Sequence, residues 1–217
     1  MRILRSGGSG GTASKPLEGV KIFFCGDSIT AGTNATKPYH QWVAEETGAT
    51  VKFNGSGGSG YWTGDPLYNR YTEFVWQRDS ADADIIILFM GTNDWRYPDP
   101  FNLGALGDTT VSTFYGAVDD AFSKLVAKYP FKKVGVITPL PSVNAWNNAH
   151  GELKQISDAL IDVSGKYSFP SLDLYRSSNL HVSDTSFIST YMEDGLHIND
   201  LGHKLITPPI TSFVLSI

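Results

Sequence analysis

The sequence predicts an α/β domain of three layers, helix–sheet–helix, built on a mainly parallel sheet of five strands. Two observations predict it. Residues 20–25 (VKIFFC), 85–90 (IIILFM) and 132–138 (KKVGVIT) are short apolar runs that end at turn residues. Such runs suit strands buried on both faces. Between and after them lie stretches with helical spacing. Phe114, Val118, Ala121, Leu125 and Tyr129 form one stripe, and Ala149, Leu153, Ile156, Leu160 and Val163 another, each a single face to be buried.

The remaining elements follow the same alternation. Residues 50–54 and 171–175 are shorter strand candidates, and 38–46 and 200–215 helix candidates. Pro208 and Pro209 fall inside the last of these and should bend or restart it, because proline lacks the N–H a helix interior needs. Residues 95–110 and 176–193 read as long connections, which in small domains often carry function. There is no internal repeat.

At 217 residues, 41% of them hydrophobic and 18% charged, the chain fits one domain with a substantial core. We place that domain at residues 17–217 and read 1–16 as a flexible lead or linker, since Gly and Ser dominate 7–14. This segment has no apolar core of the kind a signal peptide carries. Its linker-like character suggests a part of a larger multidomain protein, and it favours an extracellular, cell-surface or virion-associated setting over a cytoplasmic one. The net charge of −5 gives no basic footprint for nucleic acid or anionic membrane. No apolar stretch reaches the ~20 residues of a membrane span. The single cysteine, Cys25, excludes an internal disulfide and a cysteine metal site. It ends an apolar run and reads as a buried, inert thiol.

Ligands of open α/β sheets bind at the carboxyl ends of the strands, so chemistry is expected just after each apolar run. After the first run come Gly26-Asp27-Ser28-Ile29-Thr30, a serine at a strand-to-helix junction; alone, it is equally an N-cap. After the second strand come Gly55-Ser56-Gly57-Gly58-Ser59-Gly60. This loop allows close backbone approach but lacks the Lys-Ser/Thr of a phosphate loop. After residues 85–90 come Gly91-Thr92-Asn93-Asp94, where an uncharged amide is suited to donate to a developing oxyanion. Near the C-terminus, Asp194-Gly195-Leu196-His197 sets a carboxylate three residues before an imidazole, a spacing that can hold the ring's tautomer. Each signal is weak by itself.

Taken together, their order and placement resemble the SGNH hydrolase superfamily, the GDSL-like serine esterases and lipases. Ser, Gly, Asn and His blocks carry that resemblance over about residues 17–217. GDSIT resembles the first block with Ile29 for the usual Leu, GTND the third, and DGLHIN the last with Ile198 where Pro is frequent. The glycine block is degenerate; we align Gly58 and keep Gly57 and Gly60 as alternates. The resemblance implies a flavodoxin-like sheet and ester hydrolysis without metal or cofactor. Ser28 would be the nucleophile, His197 its base and Asp194 the orienter of His197. The Ser28 N–H, the Gly58 N–H and the Asn93 side chain would form the oxyanion hole. A 2-1-3-4-5 strand order sets these donors side by side.

Trp62, Trp95 and Trp146 follow three of the strand ends and are candidate substrate-binding rings, with core packing as the other reading. We expect a short acyl ester, an acetyl group on carbohydrate, as substrate. A catalytically silent carbohydrate-binding or structural domain of a larger surface or virion assembly is the alternative. The intact Ser28, Asn93, Asp194 and His197 count against silence. Of the other histidines, His203 is expected on the surface of the last helix. His181 is open to either pocket lining or plain exposure.

Overall fold

The computed structural model describes residues 14–62, 81–94, 102–143 and 153–217. Five parallel strands, β1 (Lys21–Gly26), β2 (Thr50–Gly55), β3 (Ile85–Phe89), β4 (Lys133–Ile137) and β5 (Ser171–Leu172), pair in the order β2-β1-β3-β4-β5. Phe24 of β1 stands level with Phe53 of β2 and Ile87 of β3. This is the flavodoxin-like sheet that the sequence predicts.

Side chains alternate across the sheet, as the two-residue period of a strand requires. Phe23, Ile86 and Leu88 enter one core cluster, and Ile22, Phe24, Ile85 and Ile87 the other. The helices α3 (Phe114–Lys128) and α4 (Leu153–Lys166) cover the first cluster. On α3, Phe114, Val118, Ala121 and Leu125 are buried, and Tyr129 packs beside them just past its end. Thr113 starts that helix by accepting from the Gly116 N–H at 3.0 Å, an N-cap bond. The second cluster lies under α2 (Tyr39–Thr47) and α7 (Asp200–Ser216). A short α1 (Ser28–Ala31) links β1 to α2. Among the described residues, no helix is long and apolar enough to cross a membrane.

Four sequence expectations need correction. The strand expected at 171–175 stops after Leu172, because Asp173 caps a new helix, α5 (Leu174–Ser177), by accepting from the Arg176 N–H. The connection 176–193 is not structureless; it also holds α6 (Thr185–Tyr191). The last helix runs uninterrupted through Pro208 and Pro209. Ile206, Ile210, Phe213 and Val214 bury one stripe on both sides of the proline pair. Burial at about 1.5–3 kcal/mol per large apolar side chain outweighs a proline cost of about 3 kcal/mol. Finally, His203 is fully buried. It lies on the same stripe as Ile206 and Ile210, accepts from the Tyr39 N–H at 3.3 Å through Nδ1, and stacks on the Tyr39 ring. Cys25 is buried as expected, and burial pushes its thiol far above the usual range.

Candidate active site

Ser28 is the first residue of α1, at the carboxyl end of the central strand β1. The turn before it is fixed by Asp27, whose Oδ1 accepts from the Ile29 N–H at 3.0 Å. Burial pushes the Asp27 carboxyl up to about 6, against the pull of that hydrogen bond. Ser28 itself is 9% exposed.

His197 comes from the other end of the sequence. The segment between α6 and α7 folds back on itself, with Met192 and Ile198 paired as an antiparallel bridge and the Glu193 N–H donating to the His197 carbonyl at 3.0 Å. Asn199 clamps the base of this turn. Its Oδ1 caps α7 by accepting from the Leu201 and Gly202 N–H groups, and its Nδ2 donates to the Thr190 carbonyl at 2.9 Å. A further bond, from the Val143 N–H to the Gly195 carbonyl at 2.8 Å, ties the turn to the segment that follows β4. The role of Asn199 went unread in the sequence, although an Asn just before a helical pattern is a legible N-cap signal.

The turn brings His197 Nε2 to 2.9 Å from Ser28 Oγ and His197 Nδ1 to 2.7 Å from Asp194 Oδ2. Burial acts to raise the Asp194 carboxyl. Hydrogen bonds from the His197 backbone and ring and from the Leu196 N–H outweigh it and hold the group below the usual carboxylate range. An ionised carboxylate only accepts, so Nδ1 carries a proton and donates to Asp194, while Nε2 faces the serine hydroxyl.

Asn93 follows β3 and is 5% exposed. Its Nδ2 donates to the Ser59 carbonyl at 2.9 Å. An amide nitrogen has two hydrogens, so this bond fixes the orientation of the group and leaves a second donor. Ser59 belongs to a tight turn in which its N–H donates to the Ser56 carbonyl at 3.2 Å and Gly58 takes a left-handed φ of 81°. Asp94, next to Asn93, is fully buried and accepts from the Tyr61 and Trp62 N–H groups at 3.0 and 2.6 Å. Burial pushes its carboxyl up to about 7 against these two bonds. The contact requires glycine at 60: a Cβ there would fall 2.4 Å from Asp94 Oδ2. Asp94 therefore stitches the glycine loop to the end of β3, a tie the sequence reading did not assign.

Ser28, Asp194 and His197 thus meet in one hydrogen-bonded chain, with Asn93 and the Gly58 turn at the neighbouring strand ends. Trp62 is buried within the core cluster under α3 and α4. Trp95 and Trp146 lie outside the described residues. His181 is exposed and sits edge-on to the Phe187 ring of α6.

The sequence profile of the GDSL-like lipase/acylhydrolase family matches residues 24–205. The chain belongs to this family. Members of the GDSL-like family hydrolyse esters, and this chain is a hydrolase of that class. No curated protein matches it in sequence. Solved structures do. A protein from Lactobacillus plantarum superposes with a TM-score of 0.80 at 27% identity, covering 91% of this chain and 97% of its own. A possible lipase from Chitinophaga pinensis superposes at 0.67 and 20% identity, covering 89% and 96%. An acetylxylan esterase from Geobacillus stearothermophilus superposes at 0.66 and 20% identity, covering 92% and 96%. The last two are similar in fold to this GDSL-like chain.

Proposed function

We propose that this protein is a serine esterase that removes short acyl groups, acetyl above all, from carbohydrate through an acyl-enzyme. The observation that carries the reading is the relay itself: Ser28 Oγ, His197 Nε2, His197 Nδ1 and Asp194 Oδ2 in series at 2.9 and 2.7 Å. A serine hydroxyl is a weak nucleophile until a base takes its proton. Ser28 Oγ attacks the ester carbonyl carbon while its proton passes to His197 Nε2. Asp194 stabilises the resulting imidazolium without taking the proton. The carbonyl oxygen becomes an oxyanion held by the Ser28 N–H, the Gly58 N–H and Asn93 Nδ2–H. As the carbonyl re-forms, the bond to the alcohol oxygen breaks. His197 hands its proton to that oxygen, and the acyl group stays on Ser28. Water then repeats the attack through His197 and releases the acid.

The carbohydrate part of the reading leans on the Geobacillus stearothermophilus neighbour, an acetylxylan esterase of the same fold. The experiment is hydrolysis of p-nitrophenyl acetate and acetate release from acetylated xylan, by the wild type and by Ser28→Ala. We expect turnover of both by the wild type and a loss of at least about 10³-fold in the variant. A Ser28→Ala protein that keeps half the wild-type kcat would remove Ser28 as nucleophile. A wild type without turnover on any ester would leave a silent binding domain.

A further inference from the structure

The glycine loop after β2 contains three glycines beyond the strand, and the fold explains two of them. Gly60 makes room for the Asp94 carboxylate, and Gly58 has a φ of 81°, which L side chains rarely adopt. Gly57 has neither constraint. Its φ is not in the left-handed region, and it is exposed. Among the described residues, one heavy atom lies within 4 Å of where its Cβ would stand, the Cβ of Ser28, at 4.0 Å. Folding does not demand glycine here. Among the described residues, the missing side chain instead leaves space directly beside Ser28.

The topology says which part of an ester would use that space. β1 lies between β2 and β3, so the segment after β2 and the segment after β4 flank Ser28 on opposite sides. The His197 turn is tied to the segment after β4 by the Val143–Gly195 bond. Because His197 Nε2 must protonate the leaving alcohol, the alcohol lies on that side; the oxyanion takes the Ser28, Gly58 and Asn93 donors, and the acyl substituent is left to the exposed part of the β2 loop, where Gly57 stands beside Ser28. We infer that Gly57 forms the wall of the acyl subsite and sets its upper acyl length, leaving room for propionyl and butyryl beside the preferred acetyl. This rests on the esterase reading above. A side chain at position 57 would occupy the place of the second and third acyl carbons while leaving the backbone N–H groups of the turn intact.

The test measures kcat/KM on p-nitrophenyl acetate, propionate and butyrate for the wild type, Gly57→Ala and Gly57→Val. A mismatch of one methylene in a pocket is worth roughly 10–200-fold. The butyrate-to-acetate ratio should therefore fall at least about 10-fold in Gly57→Val and by less in Gly57→Ala. Each ratio is taken within one preparation, so a partly unfolded variant lowers both rates and leaves the ratio alone. Should Gly57→Val fail to fold, the graded fall in Gly57→Ala carries the result. Ratios within about twofold of wild type in both variants overturn the inference. So does a change confined to the leaving group, read as the ratio of p-nitrophenyl acetate to ethyl acetate. In either case a wild type that is active, with Ser28→Ala inactive, leaves the esterase reading standing. A wild type inactive on all these esters removes both.

Discussion

Asp194 holds His197 by two bonds at once: Oδ2 meets the ring Nδ1 at 2.7 Å, and Oδ1 accepts from the His197 backbone N–H at 2.7 Å. The same Oδ1 also accepts from the Leu196 N–H at 3.0 Å. One carboxylate thus sets both the backbone of the turn and the tautomer of the ring. The proposed mechanism makes the two residues one functional unit, and groups that act as a unit are not additive. We expect His197→Ala to cost more kcat/KM than Asp194→Ala, because Asp194 orients the ring and does not take the proton. The double variant should cost little more than His197→Ala alone. A double-mutant cycle on p-nitrophenyl acetate checks this, and fully multiplicative losses would separate the two residues.

Asn93 is fixed by its bond to the Ser59 carbonyl, and in the proposed mechanism its remaining N–H is a preorganised oxyanion donor. A preorganised donor acts where charge develops, in the transition state. Asn93→Ala should lower kcat by about 10²–10³-fold with a much smaller change in KM. Steady-state kinetics decides the matter: a normal kcat with a raised KM would make Asn93 a ground-state binding residue instead.

Gly60→Ala should destabilise the protein. Its Cβ would stand 2.4 Å from Asp94 Oδ2 and 2.6 Å from Asp94 Cγ, so the buried carboxyl must move off the Tyr61 and Trp62 N–H groups. Overpacking together with a lost buried hydrogen bond costs about 2–4 kcal/mol. Urea unfolding of the variant measures it, and a change below about 0.5 kcal/mol would show that Asp94 is not the anchor of this loop.

His40 and His203 are both held neutral. Burial, the larger cause in each case, lowers both to about 4, and for His203 the nearby His40 adds to the effect. Their unfolded values lie near 6.5, so the unfolded chain binds more protons between about pH 6.5 and 4, and the pair's contribution to stability falls as pH falls through that window. Asp27 and Asp94 act in the opposite sense. Their folded values of about 6 and about 7 lie above the unfolded one, so they add stability as pH falls over the same range. The histidine part is isolated by difference. The change in Tm on going from pH 7.5 to 5 should be more favourable in His40→Gln/His203→Gln than in the wild type. Equal changes in the two proteins would mean that the histidines titrate alike in the folded and unfolded chains.

The sequence by itself determined the strands, because β1, β3 and β4 are apolar runs with no other way to hide both faces. It also determined three of the candidate blocks, because Ser28, Asn93 and the Asp194–His197 pair stand beside turn-forming neighbours at fixed local spacings. Local signals of this kind are written in neighbouring residues. Only the tertiary structure decided the rest. The 2.9 Å approach of His197 to Ser28 spans the whole chain and depends on the clamp at Asn199 and the tie from Val143 to Gly195. The burial of His203 and the passage of α7 through two prolines depend on the apolar surface that the sheet offers to that helix. The three glycines of the β2 loop look alike as letters. They differ only in what a Cβ would meet: a carboxylate at 60, a left-handed backbone at 58, and at 57 the side of Ser28.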